Sequence, residues 1–267
     1  MTLSDEQVLR YSRNIVLDQV GKRGQIRLLG SSVLVVGTGG LGSPVSYYLA
    51  AAGVGRIGLV DGDVVDLSNL QRQILHTTAD LGRQKVFSAR EKLLALNPDI
   101  TVSVYESMLS EENADALVRE YDVVVDATDN FAARYIMNDA CVRAGRYMVH
   151  GSIFRFEGQV TVFGREGPCY RCIYPSVPPP DLMPTCAQVG VLGAVPGVIG
   201  SIQALEVLKI LLDAGRTLSG RLILFNGLSM EFMEVEVQPD PACACRGGTG
   251  DAVVRPTYNR CQKANQG

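Results

Sequence analysis

Residues 33–36 form a β-branched apolar run that ends in Gly37-Thr38-Gly39-Gly40-Leu41-Gly42, and residues 43–52 then read as a helix. Strand, glycine turn and helix in that order is the strongest constraint in the chain. The glycines permit a tight turn and close approach of a phosphate to the backbone, and the helix start offers unpaired N–H groups and partial positive charge. The next strand, residues 56–60, ends at Asp61, where an acidic side chain commonly accepts hydrogen bonds from ribose hydroxyls.

The rest of the pattern agrees. A capping box at Ser4-Asp5-Glu6-Gln7 predicts a helix to about residue 17 that carries Arg10 and Arg13 on one face. Residues 83–96 have helical spacing, Ile100, Val102 and Val104 alternate as a strand, 123–125 suit a buried parallel strand, and 131–144 a helix. Strand signals follow at 148–153, 159–163, 221–225 and 232–237, with a proline-rich loop at 174–184 and a long apolar helix at about 198–212. The expectation is a Rossmann-like, doubly wound α/β fold whose mostly parallel sheet is extended by a C-terminal antiparallel portion. One domain would cover residues 1–245, with a nucleotide-binding part at about 30–150 and a second part at about 151–245, followed by a loose polar tail at 246–267.

Composition narrows the function. With 267 residues, 46% of them apolar, the chain can bury a core, and a formal net charge of −3 gives no basic field for nucleic acid. The N-terminus has no apolar leader, and the apolar stretch 189–205 is broken by Pro196, Ser201 and Gln203, so a buried core helix and a cytoplasmic protein with no membrane partner are expected.

After Asp61, the run Ser68-Asn69-Leu70-Gln71-Arg72-Gln73 and then Lys85 supply two cations and several amides, which suit a triphosphate better than a dinucleotide. Asp126-Ala127-Thr128-Asp129-Asn130 follows a buried strand at the sheet edge where such folds hold ligands, so Asp129 is a candidate Mg²⁺ ligand, with a helix N-cap as its alternative role. For Arg72 and Lys85 the alternative is a solvated surface pair. An NAD-dependent oxidoreductase would use the same glycine turn and Asp61. The two histidines, His76 and His150, are expected to be core or surface residues without a chemical role. Of seven cysteines, Cys169 and Cys172 form C-x-x-C and Cys243 and Cys245 form C-x-C, the grouping of a closed structural Zn²⁺ site.

On Arg10-Tyr11-Ser12-Arg13, the glycine turn, residues 68–73 and 126–130, the cysteine pairs and Gly190-Val191-Leu192-Gly193, the chain resembles the ThiF/MoeB/HesA group, bacterial enzymes similar to the ubiquitin-activating E1 proteins. The resemblance covers roughly residues 3–245. It implies ATP-dependent adenylylation of the C-terminal glycine of a ubiquitin-like sulfur carrier ending in Gly-Gly, with release of pyrophosphate, for molybdenum cofactor or thiamine-type sulfur transfer. By motif, Arg72 and Lys85 would hold phosphates, Asp61 the ribose and Asp129 the magnesium. Gly39, Gly40, Ser68, Asn69, Leu70, Gln71 and Asn130 would complete the pocket, and Arg13 would reach the nucleotide of the other subunit of a homodimer. Residues 151–245 would bind the carrier, Cys186, in the loop that embraces its tail, would be a candidate catalytic thiol for a covalent link to the carrier or sulfur donor, with packing as its alternative role, and the sulfur donor would be a separate protein. The group usually shows C-x-x-C in both pairs; here the second pair is one residue shorter, and Cys261 is a rival fourth ligand. A non-catalytic module that binds nucleotide and recruits the carrier is a third reading.

Overall fold

The structure, a computed structural model, describes residues 2–164, 167–176 and 190–246. Cys186, Cys261, most of the proline-rich loop and the tail lie outside these residues.

Eight strands form one sheet in the order β3-β2-β1-β4-β5-β6-β7-β8. The strands are β1 (Ser32–Val36), β2 (Arg56–Val60), β3 (Thr101–Tyr105), β4 (Val123–Asp126), β5 (Tyr147–Phe154), β6 (Glu157–Phe163), β7 (Arg221–Asn226) and β8 (Glu231–Glu236). The first five are parallel, with Val35 opposite both Leu59 and Val125, and the last three run antiparallel from β5 onward. Parallel strands covered on both faces should be apolar along their length, and Val33, Leu34, Val35 and Val123, Val124, Val125 are all buried. The expected doubly wound fold with an antiparallel extension is therefore the one observed, and a single sheet runs through both parts of the chain.

The helices are α1 (Asp5–Arg10), α2 (Ser12–Ile15), α3 (Gly21–Leu29), α4 (Gly42–Ala52), α5 (Lys85–Leu96), α6 (Glu111–Arg119), α7 (Phe131–Ala144), α8 (Tyr170–Ile173) and α9 (Ala194–Leu212). The single helix expected from residue 4 is two short ones broken at Tyr11. The Ser4 capping box is present, but Tyr11 is 1% exposed and its hydroxyl takes a hydrogen bond from Asn97, so tertiary packing overrides local propensity. Two helices lack a clear sequence signal. At α3 no side chain caps the start, and Gly24, which reads as loop, admits Leu212 of α9 to 3.0 Å from where a Cβ would stand. At α6 the capping box is closed by Asn113 in place of Glu or Gln.

The long apolar helix α9 begins a turn earlier than expected and lies against α4, β4, β5 and β6. Its buried residues include Gln203 and Glu206 as well as Val195, Ile199 and Val207. Glu206 accepts from the Leu218 backbone N–H and pairs with Lys209, and Gln203 donates to the carbonyls of Asp126 and Val149. It is a core helix, and its polar side chains tie it to the ends of β4 and β5.

Candidate active site

The strand order reverses between β1 and β4, and the turns that leave these two strands form the walls of a cleft of about 480 Å³. This is the switch point at which open α/β sheets bind ligands. The first wall is the glycine turn. Gly37 has φ +93°, and a Cβ there would come within 2.6 Å of the Ala127 carbonyl oxygen. At Gly42, the first residue of α4, a Cβ would lie 2.0 Å from the Gly37 carbonyl oxygen. Both positions exclude any other residue, and the resulting turn presents Gly39, Gly40 and the N-terminus of α4 to the cleft.

Thr38 locks that turn. Its N–H and hydroxyl both donate to Asp61 Oδ2, at 2.8 and 2.9 Å, and the Asp63 N–H donates to Asp61 Oδ1 at 2.9 Å. Asp61 lines the cleft, but three of its roughly four acceptor positions are occupied by the protein. Lys85 is the first residue of α5 and 6% exposed; its Nζ reaches Asp63 Oδ2 at 2.8 Å, and Asp63 is half exposed. Arg72 lines the cleft beside Gly40 and donates to the Ser68 carbonyl oxygen at 3.0 Å. Both cations face the cleft and neither is a solvated surface pair. Gln73 also lines it, and its buried Oε1 has no hydrogen-bond partner among the described residues.

The second wall is the turn 127–130. The N-cap of α7 is Asn130, whose Oδ1 accepts from the Ala133 N–H at 2.8 Å. Asp129 is therefore not the cap, and its exposed side chain lines the cleft. Beneath it, Asp126 Oδ1 accepts from the Thr128 N–H at 3.0 Å and hydroxyl at 2.7 Å, and Arg134 donates to the Thr128 carbonyl oxygen at 2.9 Å. Burial pushes the Asp126 carboxyl up, but the hydrogen bond to His150 and the charge of Arg134 prevail and hold it below the usual carboxylate range.

The structure thus brings Gly39, Gly40, Asp61, Arg72, Lys85, Asp129 and Asn130 into one cleft. Ser68, Asn69, Leu70 and Gln71 lie on the adjoining turn and do not line it: Asp66 caps that turn through Ser68, and the Gln71 carbonyl packs against Gly193 at the start of α9. Arg13 is exposed and elsewhere. Its neighbour Tyr11 packs on Gly53, which follows the C-terminus of α4, roughly 16 Å along that helix from the cleft. Thr38, Asp63 and Arg134 are additions that local sequence pattern does not flag.

A second cluster stands beside α7, where the Tyr170 N–H donates to Asn138 Oδ1. Cys169 Sγ lies 3.7 Å from Cys172 Sγ and 3.5 Å from Cys243 Sγ. Four thiolates around zinc at about 2.3 Å have edges of about 3.8 Å, so three of the four expected ligands are spaced for the metal. The hydrogen bond with Cys169 and burial push the Cys172 thiol up, and a bound dication is what would favour its ionised form. Cys245 borders this cluster but turns toward α7, accepting from Asn138 Nδ2 at 3.4 Å and donating to Asp139 Oδ1 at 3.5 Å. The short C-x-C spacing thus brings one thiol into the cluster and leaves the other beside it.

Comparison with known proteins agrees with the geometry. The family described as ThiF matches residues 11–246. A Thermus thermophilus protein named sulfur carrier protein adenylyltransferase is 49% identical over 92% of this chain and 93% of its own length. A Haloferax volcanii protein named SAMP-activating enzyme E1 is 48% identical over 97% and 96%. An Anopheles gambiae adenylyltransferase and sulfurtransferase MOCS3 is 50% identical, but this chain spans only 55% of it. Among solved structures, E. coli MccB with ATP superposes with a TM-score of 0.79 at 25% identity, covering 90% of this chain and 75% of that one. With its glycine turn, its cleft bearing Arg72, Lys85 and Asp129, and its cysteine cluster in this order along the match, the chain belongs to the ThiF family.

Proposed function

We propose that the protein adenylylates the C-terminal glycine of a ubiquitin-like sulfur carrier protein, consuming ATP and releasing pyrophosphate, to prepare sulfur transfer of the molybdenum cofactor or thiamine type. One observation carries the reading: Lys85, Arg72 and Asp129, from three separate segments, face one cleft closed by a glycine turn. The near full-length relatives named for adenylyl transfer or activation favour this over hydride transfer.

The chemistry needs little more than charge and alignment. A C-terminal carboxylate with a reference pKa near 3.5 is ionised at neutral pH and attacks the α-phosphorus without a general base. What the protein has to supply is neutralisation of an anion approaching an anion, and in-line placement. Lys85 and Arg72 would hold the phosphate oxygens. Asp63 keeps Lys85 Nζ aimed at the cleft, and because Asp63 is itself half exposed, exchanging it for phosphate leaves no buried charge stranded. Asp129 would hold Mg²⁺, which when bound neutralises phosphate charge. The glycine turn and the start of α4 would receive the phosphates, and Asp61, with one acceptor position left, would take a ribose hydroxyl.

The carrier has a surface of suitable kind. Phe154, Phe156, Leu228, Phe232 and Met233 are 38–74% exposed around the antiparallel strands. Ser152, Ile153 and Phe154 border both the apolar cleft on β6–β8 and the nucleotide cleft, so an extended tail lying along the end of β5 would pass from one to the other. Arg13 lies among Leu9, Val16 and Leu17, which are 51–77% exposed, as a homodimer face contributing Arg13 to its partner would require. The test is ATP–pyrophosphate exchange against a panel of carriers ending in Gly-Gly: exchange dependent on one carrier supports the reading, and nucleotide binding without exchange for any carrier refutes it.

A further inference from the structure

Each wall of the cleft rests on a buried imidazole. His76 is 5% exposed and lies between the glycine turn and α5: its Nε2 is 3.1 Å from the Thr38 carbonyl oxygen and its Nδ1 is 2.9 Å from Ser88 Oγ. A carbonyl oxygen can only accept, so Nε2 carries the proton and Nδ1 accepts from the Ser88 hydroxyl. Thr38 is thereby gripped twice, by Asp61 on its N–H and hydroxyl and by His76 on its carbonyl.

His150 is 1% exposed on β5, with Nδ1 2.6 Å from Asp126 Oδ2. Arg134 Nε approaches the same Asp126 oxygen at 3.7 Å. The buried charges of Asp126 and Arg134 cancel, so a neutral imidazole leaves the cluster uncharged while an imidazolium would add an isolated buried charge. Nδ1 therefore donates to the carboxylate. The imidazole packs against the rings of Phe163 and Tyr170, centred 5.9 and 5.3 Å from its own, and its buried Nε2 has no hydrogen-bond partner among the described residues. A protonated Nε2 would be an unsatisfied donor there. The carboxylate oriented by His150 and Arg134 uses its other oxygen to hold Thr128, and Thr128 precedes Asp129.

We propose that the two histidines are positioning residues of the nucleotide cleft, His76 setting the glycine turn through the Thr38 carbonyl and His150 setting the 127–130 turn through the Asp126 carboxylate. The proposal rests on the nucleotide reading of the cleft. It assigns opposite tautomers to the two rings and a distinct wall to each. It also gives the two buried histidines behind a cleft that needs no general base a role: neither lines the cleft, and each acts on the geometry of one wall.

The test combines calorimetric titration of full-length protein with ATP and Mg²⁺, without carrier, and long-range ¹H–¹⁵N spectra, in which two histidines give two separable sets of ring signals. Wild type should show His76 as the Nε2–H form and His150 as the Nδ1–H form. His76→Leu and His150→Leu should each weaken ATP binding about tenfold, the usual scale for groups that orient a site from behind. His76→Gln and His150→Asn keep an N–H near the lost donor and should recover affinity to within about threefold of wild type. A purely structural role would lower melting temperature without this split between conservative and apolar variants. Folded leucine variants with wild-type affinity, conservative variants as weak as the leucine ones, or reversed tautomers would overturn the inference while leaving ATP binding intact. Should the leucine variants not fold, the tautomers and the conservative variants still decide. Wild type that binds no ATP would overturn the nucleotide reading itself.

Discussion

Replacing Lys85 with Met separates what this side chain does for the fold from what it does for the reaction. Lys85 is 7% exposed along its side chain, and its ion-pair partner among the described residues, Asp63, is 53% exposed. Removing the ammonium leaves Asp63 in water, so the lost pair costs about 0–1 kcal/mol. Truncation to Ala would also delete about three buried methylenes, worth about 0.8 kcal/mol each, and would confuse the two effects. Met keeps the stem. In the adenylylation step, loss of a preorganised positive charge from a site of this kind costs about 10²–10³ in rate, about 2.7–4 kcal/mol. Urea unfolding of Lys85→Met should therefore lie within about 1 kcal/mol of wild type, while pyrophosphate exchange with a competent carrier falls at least a hundredfold by this scale. Exchange within threefold of wild type in a folded variant would remove Lys85 from phosphate binding, and a large loss of stability would show that the Asp63 pair matters to the fold more than its exposure allows.

The cysteine cluster predicts about one Zn²⁺ per chain, lost in Cys172→Ser and Cys243→Ser; metal analysis of Cys245→Ser beside Cys261→Ser identifies the fourth ligand, and a metal-free wild type ends the zinc assignment. Arg13→Ala and Asp129→Ala chains are each expected to be inactive, but mixed in equal amounts they should regain about a quarter of wild-type exchange, since half the dimers are mixed and each has one intact site. No recovery after verified subunit exchange would refute the shared site. Burial pushes both His76 and His150 down, so below about pH 6.5 the unfolded chain takes up protons that the native state refuses, and stability should decline as pH falls from there. Denaturant midpoints equal at pH 7.5 and 5.5 would contradict this. Asp80 adds a later loss: burial opposes its ionisation, but hydrogen bonds from Lys92 and Thr77 hold its carboxyl low, a contribution that fades below about pH 3.8.

Where a constraint is local, the sequence was sufficient. The runs at 33–36 and 123–125 announce buried parallel strands because their apolar residues are contiguous, and the glycines at 37 and 42 announce the turn, where the structure leaves no room for a side chain. The cleft residues Arg72, Lys85 and Asp129 were legible as residue types at the right ends of elements. What was not legible depends on distant partners. The start of α3 has no cap to read, and Gly24 is admitted to a helix by Leu212, far along the chain. The roles of His76 and His150 come from Thr38, Ser88 and Asp126, none of which shares a local pattern with them. Asp129 and Asn130 are adjacent, and only the observed hydrogen bond to Ala133 shows which of them caps the helix. Cys245 could not be placed from spacing alone, because its orientation is decided by Asn138 and Asp139 of α7.

Among the described residues β8 ends the sheet, and none of them pairs with its outer backbone edge, the kind of edge at which an extended chain can add. Phe232 and Met233 would make that encounter adhesive, since each is 54% exposed. Glu231 and Glu236 stand at the two ends of the strand, while Glu234 is held by Arg221 of β7, so a second copy of β8 laid alongside, parallel or antiparallel, would bring the end glutamates together at strand spacing. The glutamates thus act as a guard against self-association while leaving the apolar side chains available to a partner of different charge. A chain in which Glu231 and Glu236 are neutralised would keep its surface for such a partner and lose its resistance to precipitation, most visibly when it is made in excess over whatever normally covers that surface.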